Sequence, residues 1–94
     1  MSTETTQQEA EVAAKVIGEV RSIAALGLGD AAPEIGVDTP LIELGIIDSL
    51  AVFQIAAFVE AEYGVEVPHT AMLPENFDSV RALSRMIVSL RQGA

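Results

Sequence analysis

Few side chains in this sequence could do chemistry, and Ser49 and His69 head them. His69 is the single histidine and follows a proline. A lone loop histidine is more often a surface residue than a general base. Cysteine is absent, so thiolate ligands and disulfides are excluded. No HExxH, glycine-rich phosphate loop or paired-cysteine spacing occurs. Glu60 and Glu62 are two positions apart and do not share a helix face. A small bundle also rarely builds a deep pocket with two catalytic groups. No catalytic or metal-ligating residue is therefore assigned, and an enzyme is not expected. Ser49 has a better setting, Gly45-Ile46-Ile47-Asp48-Ser49-Leu50. Asp48 is a good N-cap, which puts Ser49 on the first turn of a helix with its hydroxyl in water. Free amides and the positive dipole end at a helix start favour a phosphate there. Most serines near helix starts only cap, so these facts alone leave Ser49 ordinary.

The elements that must hold Ser49 fit within 94 residues. That length makes one domain over residues 1–94, with a core over about 6–92 and short flexible termini. Half the residues are apolar, yet there are three Phe, one Tyr and no Trp, so Val, Ile, Leu and Ala must form the core. A first helix is expected from about Thr6, where Thr6 and Glu9 have the capping-box spacing, to Leu26. Val12, Val16, Val20 and Ile23 give its apolar stripe, and Gly27 and Gly29 its stop. The connection from Gly27 to Asp48 is long, and long loops are usually functional. Leu28, Ile35, Val37, Leu41 and Leu44 could pin it to the core, with a short turn over about Pro40 to Leu44 closed by Gly45. The second helix should run from Ser49 to Tyr63, with Gly64 as its left-handed stop. Val65, Val67 and Pro68 read as extended chain. A short helical piece over Thr70 to Leu73 or Pro74 to Phe77 follows, then a last helix over Ser79 to Gln92 capped by Asp78. Its stripe is Val80, Leu83, Ile87 and Leu90. The fold class is all-α: a small four-helix bundle, three main helices and one short one, with a long first loop.

Charge ranks the classes of partner. The formal net charge is −9, and no Lys or Arg occurs between Ser22 and Val80. Asp30, Glu34, Asp38, Glu43, Asp48, Glu60, Glu62, Glu66, Glu75 and Asp78 all lie in that stretch. Such a surface repels nucleic-acid phosphates and speeds encounters with basic proteins. No apolar run reaches membrane-span length, and the acidic, polar beginning has no basic n-region. A cytoplasmic monomer that binds neither nucleic acid nor membrane is expected.

The segment Leu41-Ile42-Glu43-Leu44-Gly45-Ile46-Ile47-Asp48-Ser49-Leu50 closely resembles the attachment motif of acyl and aminoacyl (peptidyl) carrier proteins. The likeness continues through Val59-Glu60-Ala61-Glu62-Tyr63-Gly64-Val65-Glu66-Val67-Pro68, similar to the end of that family's second helix, and through Pro74-Glu75-Asn76-Phe77-Asp78-Ser79-Val80, similar to its third and fourth helices. Asp-Ser-Leu alone is a weak signal; three segments in order, within about Val12 to Leu90, are a strong one. The resemblance implies that Ser49 is esterified with 4′-phosphopantetheine, taken from coenzyme A by a phosphopantetheinyl transferase, with Asp48 as part of the motif. The arm's thiol would carry cargo as a thioester. Other implied partners are an adenylating or acyl-loading enzyme and downstream synthase, condensing or tailoring enzymes.

At about 100° per residue, Val52, Ile55, Ala56, Val59 and Tyr63 fall on one side of the second helix and should face the core. Leu50, Phe53, Ala57 and Ala61 form a second strip with Gln54 beside them, while Ala51 and Phe58 lie farther round. Leu50, Phe53, Gln54 and Ala57, with Ile47 just before the helix, are the candidate partner-binding residues. Phe53 could equally tuck under the loop or the third helix. Fatty-acid carriers usually have acidic residues where this chain has Ala51, Gln54 and Ala57. That departure is similar to discrete carriers of specialised-metabolite assembly lines, of the polyketide or nonribosomal peptide type. Asp48 before Ser49 is typical of acyl and D-alanyl types, whereas peptidyl carriers more often have histidine there, so amino-acid and acyl cargo both stay open. A long acyl chain would need space among Ile55, Val59 and Ile87. The alternatives are a fatty-acid synthesis carrier and a helical adaptor that is never modified.

Overall fold

A computed structural model describes residues 3–93. Of the short flexible termini expected outside about 6–92, Met1, Ser2 and Ala94 lie outside the described residues, while residues 3–5 and Gly93 belong to helices. The described chain forms α1 (Thr3–Leu28), α2 (Ser49–Tyr63), α3 (Pro74–Phe77) and α4 (Val80–Gly93), with 3-10 turns at Gly29–Ala31 and His69–Ala71. This is the small all-α bundle with a long first loop. Among the described residues, no helix is long and apolar enough to cross a membrane.

Helix α1 starts earlier than the Thr6–Glu9 spacing implied, so that spacing lies inside the helix and marks no boundary. Nothing in Thr3-Glu4-Thr5 breaks a helix. Glu9 lies 3.7 Å from Arg85 on α4. Val12, Val16 and Val20 are buried as a stripe that Ala24 extends, and Ile23 is half-buried. Gly27 lies within the helix, and the chain leaves it at Gly29, whose φ is +58°.

Helices α1 and α4 form the most extensive pairing in the bundle. The α4 stripe is stronger than expected: Val80, Leu83 and Ile87 are fully buried, Met86 and Val88 nearly so, and Leu90 half-buried. Ser84 is the one buried polar residue among the described residues, and its hydroxyl donates to the Val80 carbonyl at 2.7 Å. The cap differs from expectation. Ser79 Oγ accepts from the Ala82 amide at 3.0 Å, while Asp78 Oδ1 accepts from the Ile42 amide at 3.3 Å. Both residues can cap; Asp78 is drawn instead to the approaching loop.

Helix α2 has the expected ends. Gly64 follows it at φ +64°, which a β-carbon would oppose, and its N–H donates to the Glu60 carbonyl. The buried face is Ala51, Ile55, Ala56 and Val59. Ala51 therefore takes the core position assigned to Val52, which is half-buried, as is Tyr63. The face is rotated by part of a turn because the loop's Ile46 and Ile47 fill the space beside the helix start. The short helical piece expected at one of two places after Pro68 is α3, over Pro74–Phe77, and a 3-10 turn over His69–Ala71 precedes it. Lys15 on α1 donates to Glu62 at 2.6 Å, and that bond holds the lysine's pKa above its usual value.

The long connection is pinned by Ile35, Leu41, Ile46 and Ile47, all buried. Leu28, Val37 and Leu44, expected to pin it too, are exposed. Polar bonds supply the other anchors. Arg21 donates to the Ile35 carbonyl at 2.9 Å, and the Arg81 guanidinium makes two bonds to Asp38, at 2.6 and 2.9 Å. Those bonds hold the Asp38 carboxyl below the usual carboxylate range. Leu41 and Leu44 share one turn yet differ sharply in burial. Leu41→Ala should cost about 2–5 kcal/mol in urea unfolding, and Leu44→Ala should stay within about 0.5 kcal/mol of wild type. Equal midpoints for the two variants would contradict this account of the loop.

Candidate functional site

The site begins with the turn that delivers the chain to α2. The Leu44 amide donates to the Pro40 carbonyl at 3.0 Å and the Gly45 amide to the Ile42 carbonyl at 3.0 Å. The Ile46 and Ile47 amides both return to the Leu41 carbonyl, at 2.8 and 3.2 Å. These bonds close a compact turn and drive two isoleucines into the core. Asp48 follows with extended backbone, φ −117° and ψ −170°, and Ser49 is the first helical residue.

Asp48 caps as expected. Its Oδ1 accepts from the Ala51 amide at 2.9 Å, and its carbonyl accepts from the Val52 amide at 3.0 Å. The amides of Ser49 and Leu50 precede the first intrahelical bond and stay available. Ser49 is exposed. The site thus holds a hydroxyl in water at the positive end of a fifteen-residue helix, beside a carboxylate engaged by the backbone. Between Ser49 and Val59 no residue carries an ionisable side chain.

Two surface grooves meet at Asp48. One, of about 450 Å³, runs toward α3 and is lined by Ser49, Ile42, Val52, Phe53, His69 and Leu73, among others. The second, of about 440 Å³, runs toward the end of α1 and includes Ile23, Leu26, Leu28, Leu50 and Gln54.

The structure keeps most of the expected partner face together. Leu50 is 67 % exposed and Phe53 59 %, and Gln54 and Ala57 are also exposed. Phe53 does not tuck under the loop or the third helix. Ile47 is the exception. At 2 % exposure it is a core residue, because its amide is tied back to Leu41 and its side chain turns inward with Ile46. What little it exposes lies at the wall of the groove that Ser49 also lines. His69 lies exposed in its 3-10 turn and borders the groove that Ser49 lines. Glu60 accepts from the Val67 amide at 2.9 Å, and Glu62 pairs with Lys15, so these acids brace the fold. Leu26 and Leu28, which share a groove with Asp48 and Leu50, were not singled out from the sequence. The signal for Leu26 was weak: it lies about 160° round the helix from Ala24 but only about 60° from Ile23.

A family model described as "Phosphopantetheine attachment site" matches residues 18–87. The chain is 31 % identical over 75 residues to Aminoacyl carrier protein 2 of Bradyrhizobium diazoefficiens, covering 80 % of this chain and 81 % of that protein. It is 34 % identical over 53 residues to Probable acyl carrier protein PigG of a Serratia species, covering 56 % of this chain and 61 % of that protein. The residues at the α2 start fit the group in that family description. A phosphate ester needs an accessible hydroxyl and tolerance of negative charge, and Ser49 at the amide end of α2 has both.

The cap makes a direct prediction. Asp48→Ala should lower stability by about 1 kcal/mol, and Asp48→Asn by far less, since asparagine caps nearly as well. Urea unfolding of both variants checks this. Equal losses would show that the charge of Asp48 matters and its bond to Ala51 does not.

Proposed function

The chain belongs to the phosphopantetheine attachment-site family, and on that premise we propose that it carries an acyl or aminoacyl group on an arm esterified to Ser49, presenting it to partner enzymes in specialised-metabolite biosynthesis. It is a carrier protein, and phosphopantetheine is its covalent prosthetic group. The observation that carries the choice of Ser49 is its exposed hydroxyl on the first turn of α2, inside the matched residues.

The chemistry asks little of this chain. A phosphopantetheinyl transferase joins Ser49 Oγ to the phosphate that coenzyme A gives up; the hydroxyl proton passes to the transferase and the nucleotide portion leaves. Once bound, the arm supplies a thiol that holds cargo as a thioester. Asp48 fixes the helix start that presents Ser49, and the dipole end of α2 favours the phosphodiester charge. No catalytic residue is assigned within the chain, and it works as a cytoplasmic monomer.

The specialised role is supported by the uncharged strip of Leu50, Phe53, Gln54 and Ala57, which offers a partner no acid to recognise. The names of the two relatives leave amino-acid and acyl cargo both in play. Ile55, Val59 and Ile87 are fully buried among other core side chains, which supports a short cargo kept outside the bundle.

Intact mass spectrometry after incubation with coenzyme A and a broad-specificity transferase tests the reading. The wild type should gain one phosphopantetheine, and Ser49→Ala should gain none. An unmodified wild type would sink the carrier reading, and a modified Ser49→Ala would move the site elsewhere.

A further inference from the structure

The last turn of α1 continues past its last buried residue, Ala24, and leaves Leu26 90 % exposed and Leu28 39 % exposed. Single surface leucines are ordinary. These two are not isolated, because they share a groove with Leu50, and that groove also includes Asp48, the residue before Ser49. Asp48 is the one ionisable side chain in its lining, and its carboxylate is already bonded to the Ala51 amide. The chain's acidic charge otherwise lies outside this groove.

We propose that Leu26, Leu28 and Leu50 form the seat of the transferase that modifies Ser49, and that this seat is held by apolar contact with little help from charge. The proposal rests on the Ser49 reading above and adds the partner's contact chemistry. The choice of occupant follows from reach. Ester formation brings the transferase's reacting phosphorus within bonding distance of Ser49 Oγ, so its surface must cover the rim around that atom. Enzymes that act on the thioester work at the far end of the arm and can stand off. The complementary surface on the transferase is an uncharged aliphatic or aromatic ridge, since the groove offers a basic patch a single carboxylate, Asp48, whose Oδ1 is already held by the Ala51 amide. Apolar residues desolvated at the centre of an interface carry much of its binding energy.

Steady-state loading by a purified broad-specificity transferase, with coenzyme A saturating and carrier varied, tests this. The double variant Leu26→Ser, Leu28→Ser should raise KM for the carrier by about tenfold with kcat nearly unchanged, a loss of about 1.4 kcal/mol. Leu26→Met should keep the wild-type KM. Both variants should keep wild-type helicity in circular dichroism, because neither leucine belongs to the core. Raising NaCl from about 50 mM to about 500 mM should change the wild-type KM by less than about twofold, since apolar contacts are not screened. A wild type loaded at Ser49 alongside a double variant with unchanged KM overturns this proposal and leaves the Ser49 reading standing. A steep rise of KM with salt also overturns it, as does a wild-type dimer in sedimentation that the double variant dissolves. A wild type that never loads overturns both readings together.

Discussion

Leu41 ties the long connection to the bundle through three separate bonds and a buried side chain. Its amide donates to the Asp78 carbonyl at 2.6 Å, at the entrance to α4, and its carbonyl accepts from the amides of Ile46 and Ile47. Its side chain is fully buried. One residue therefore fixes the loop to α4 on one side and sets where the chain enters α2 on the other. Asp48 and Ser49 come directly after the two isoleucines that this arrangement drives inward. If Leu41 moved, the start of α2 would lose its reference to the rest of the core. Asp78 Oδ1 on the Ile42 amide, the Arg81 amide on the Val37 carbonyl and Arg81 on Asp38 support the same junction from α4. The exposed pair is screened by water and adds little by itself; the buried leucine and its backbone bonds dominate.

This arrangement explains how a thin core can present a precise site. Small domains are marginally stable, so a long ordered loop costs entropy that contacts must offset. Ile35, Leu41, Ile46 and Ile47 meet that cost with aliphatic burial, and Arg21, Asp78 and Arg81 anchor the loop by polar bonds at Ile35, Asp38, Leu41 and Ile42. Ser49 itself contributes nothing to the core. Its hydroxyl is free because Asp48, one position earlier, does the capping. Separating the capping residue from the presented residue lets the helix start be rigid and the hydroxyl remain open to chemistry.

Local rules made the α2 ends readable from the residues. An Asp before the helix and a Gly after it act within a few positions of themselves, so Asp48 and Gly64 were legible. The resemblance carried by the three quoted segments singled out Ser49, which its setting alone did not, and the proposed attachment site rests on that choice. Long-range choices were not legible. Asp78 and Ser79 are both good caps, and only the loop folding back from Ile42 decides that Asp78 turns away. Ala51 and Val52 are adjacent, and the placement of Ile46 and Ile47 decides which faces inward. The same turn hides Ile47, whose position next to Ser49 made it look like surface. Leu28 and Leu44 looked like loop anchors because they are leucines, yet they stay exposed while Ile46 and Ile47 are buried.

The contrast between α2 and α4 carries the functional meaning of the surface. Helix α4 separates its faces sharply, with Val80, Leu83 and Ile87 inside and Arg81, Arg85 and Arg91 outside. That is the pattern of a helix finished by folding. Helix α2 lacks such a division: Ala51, Ile55, Ala56 and Val59 are buried, and Leu50, Phe53 and Ala57 stand in water. A helix apolar all round is ordinarily buried on every side. In this bundle nothing within the described chain covers the outer face of α2, and the grooves on either side of Asp48 extend that apolar surface to Leu73 and to Leu26. Permanent burial by a fixed subunit would also cover Ser49, the proposed attachment residue. The arrangement therefore suits partners that cover the face in turn and leave, and the absence of charge along it asks each of them for shape and apolar contact.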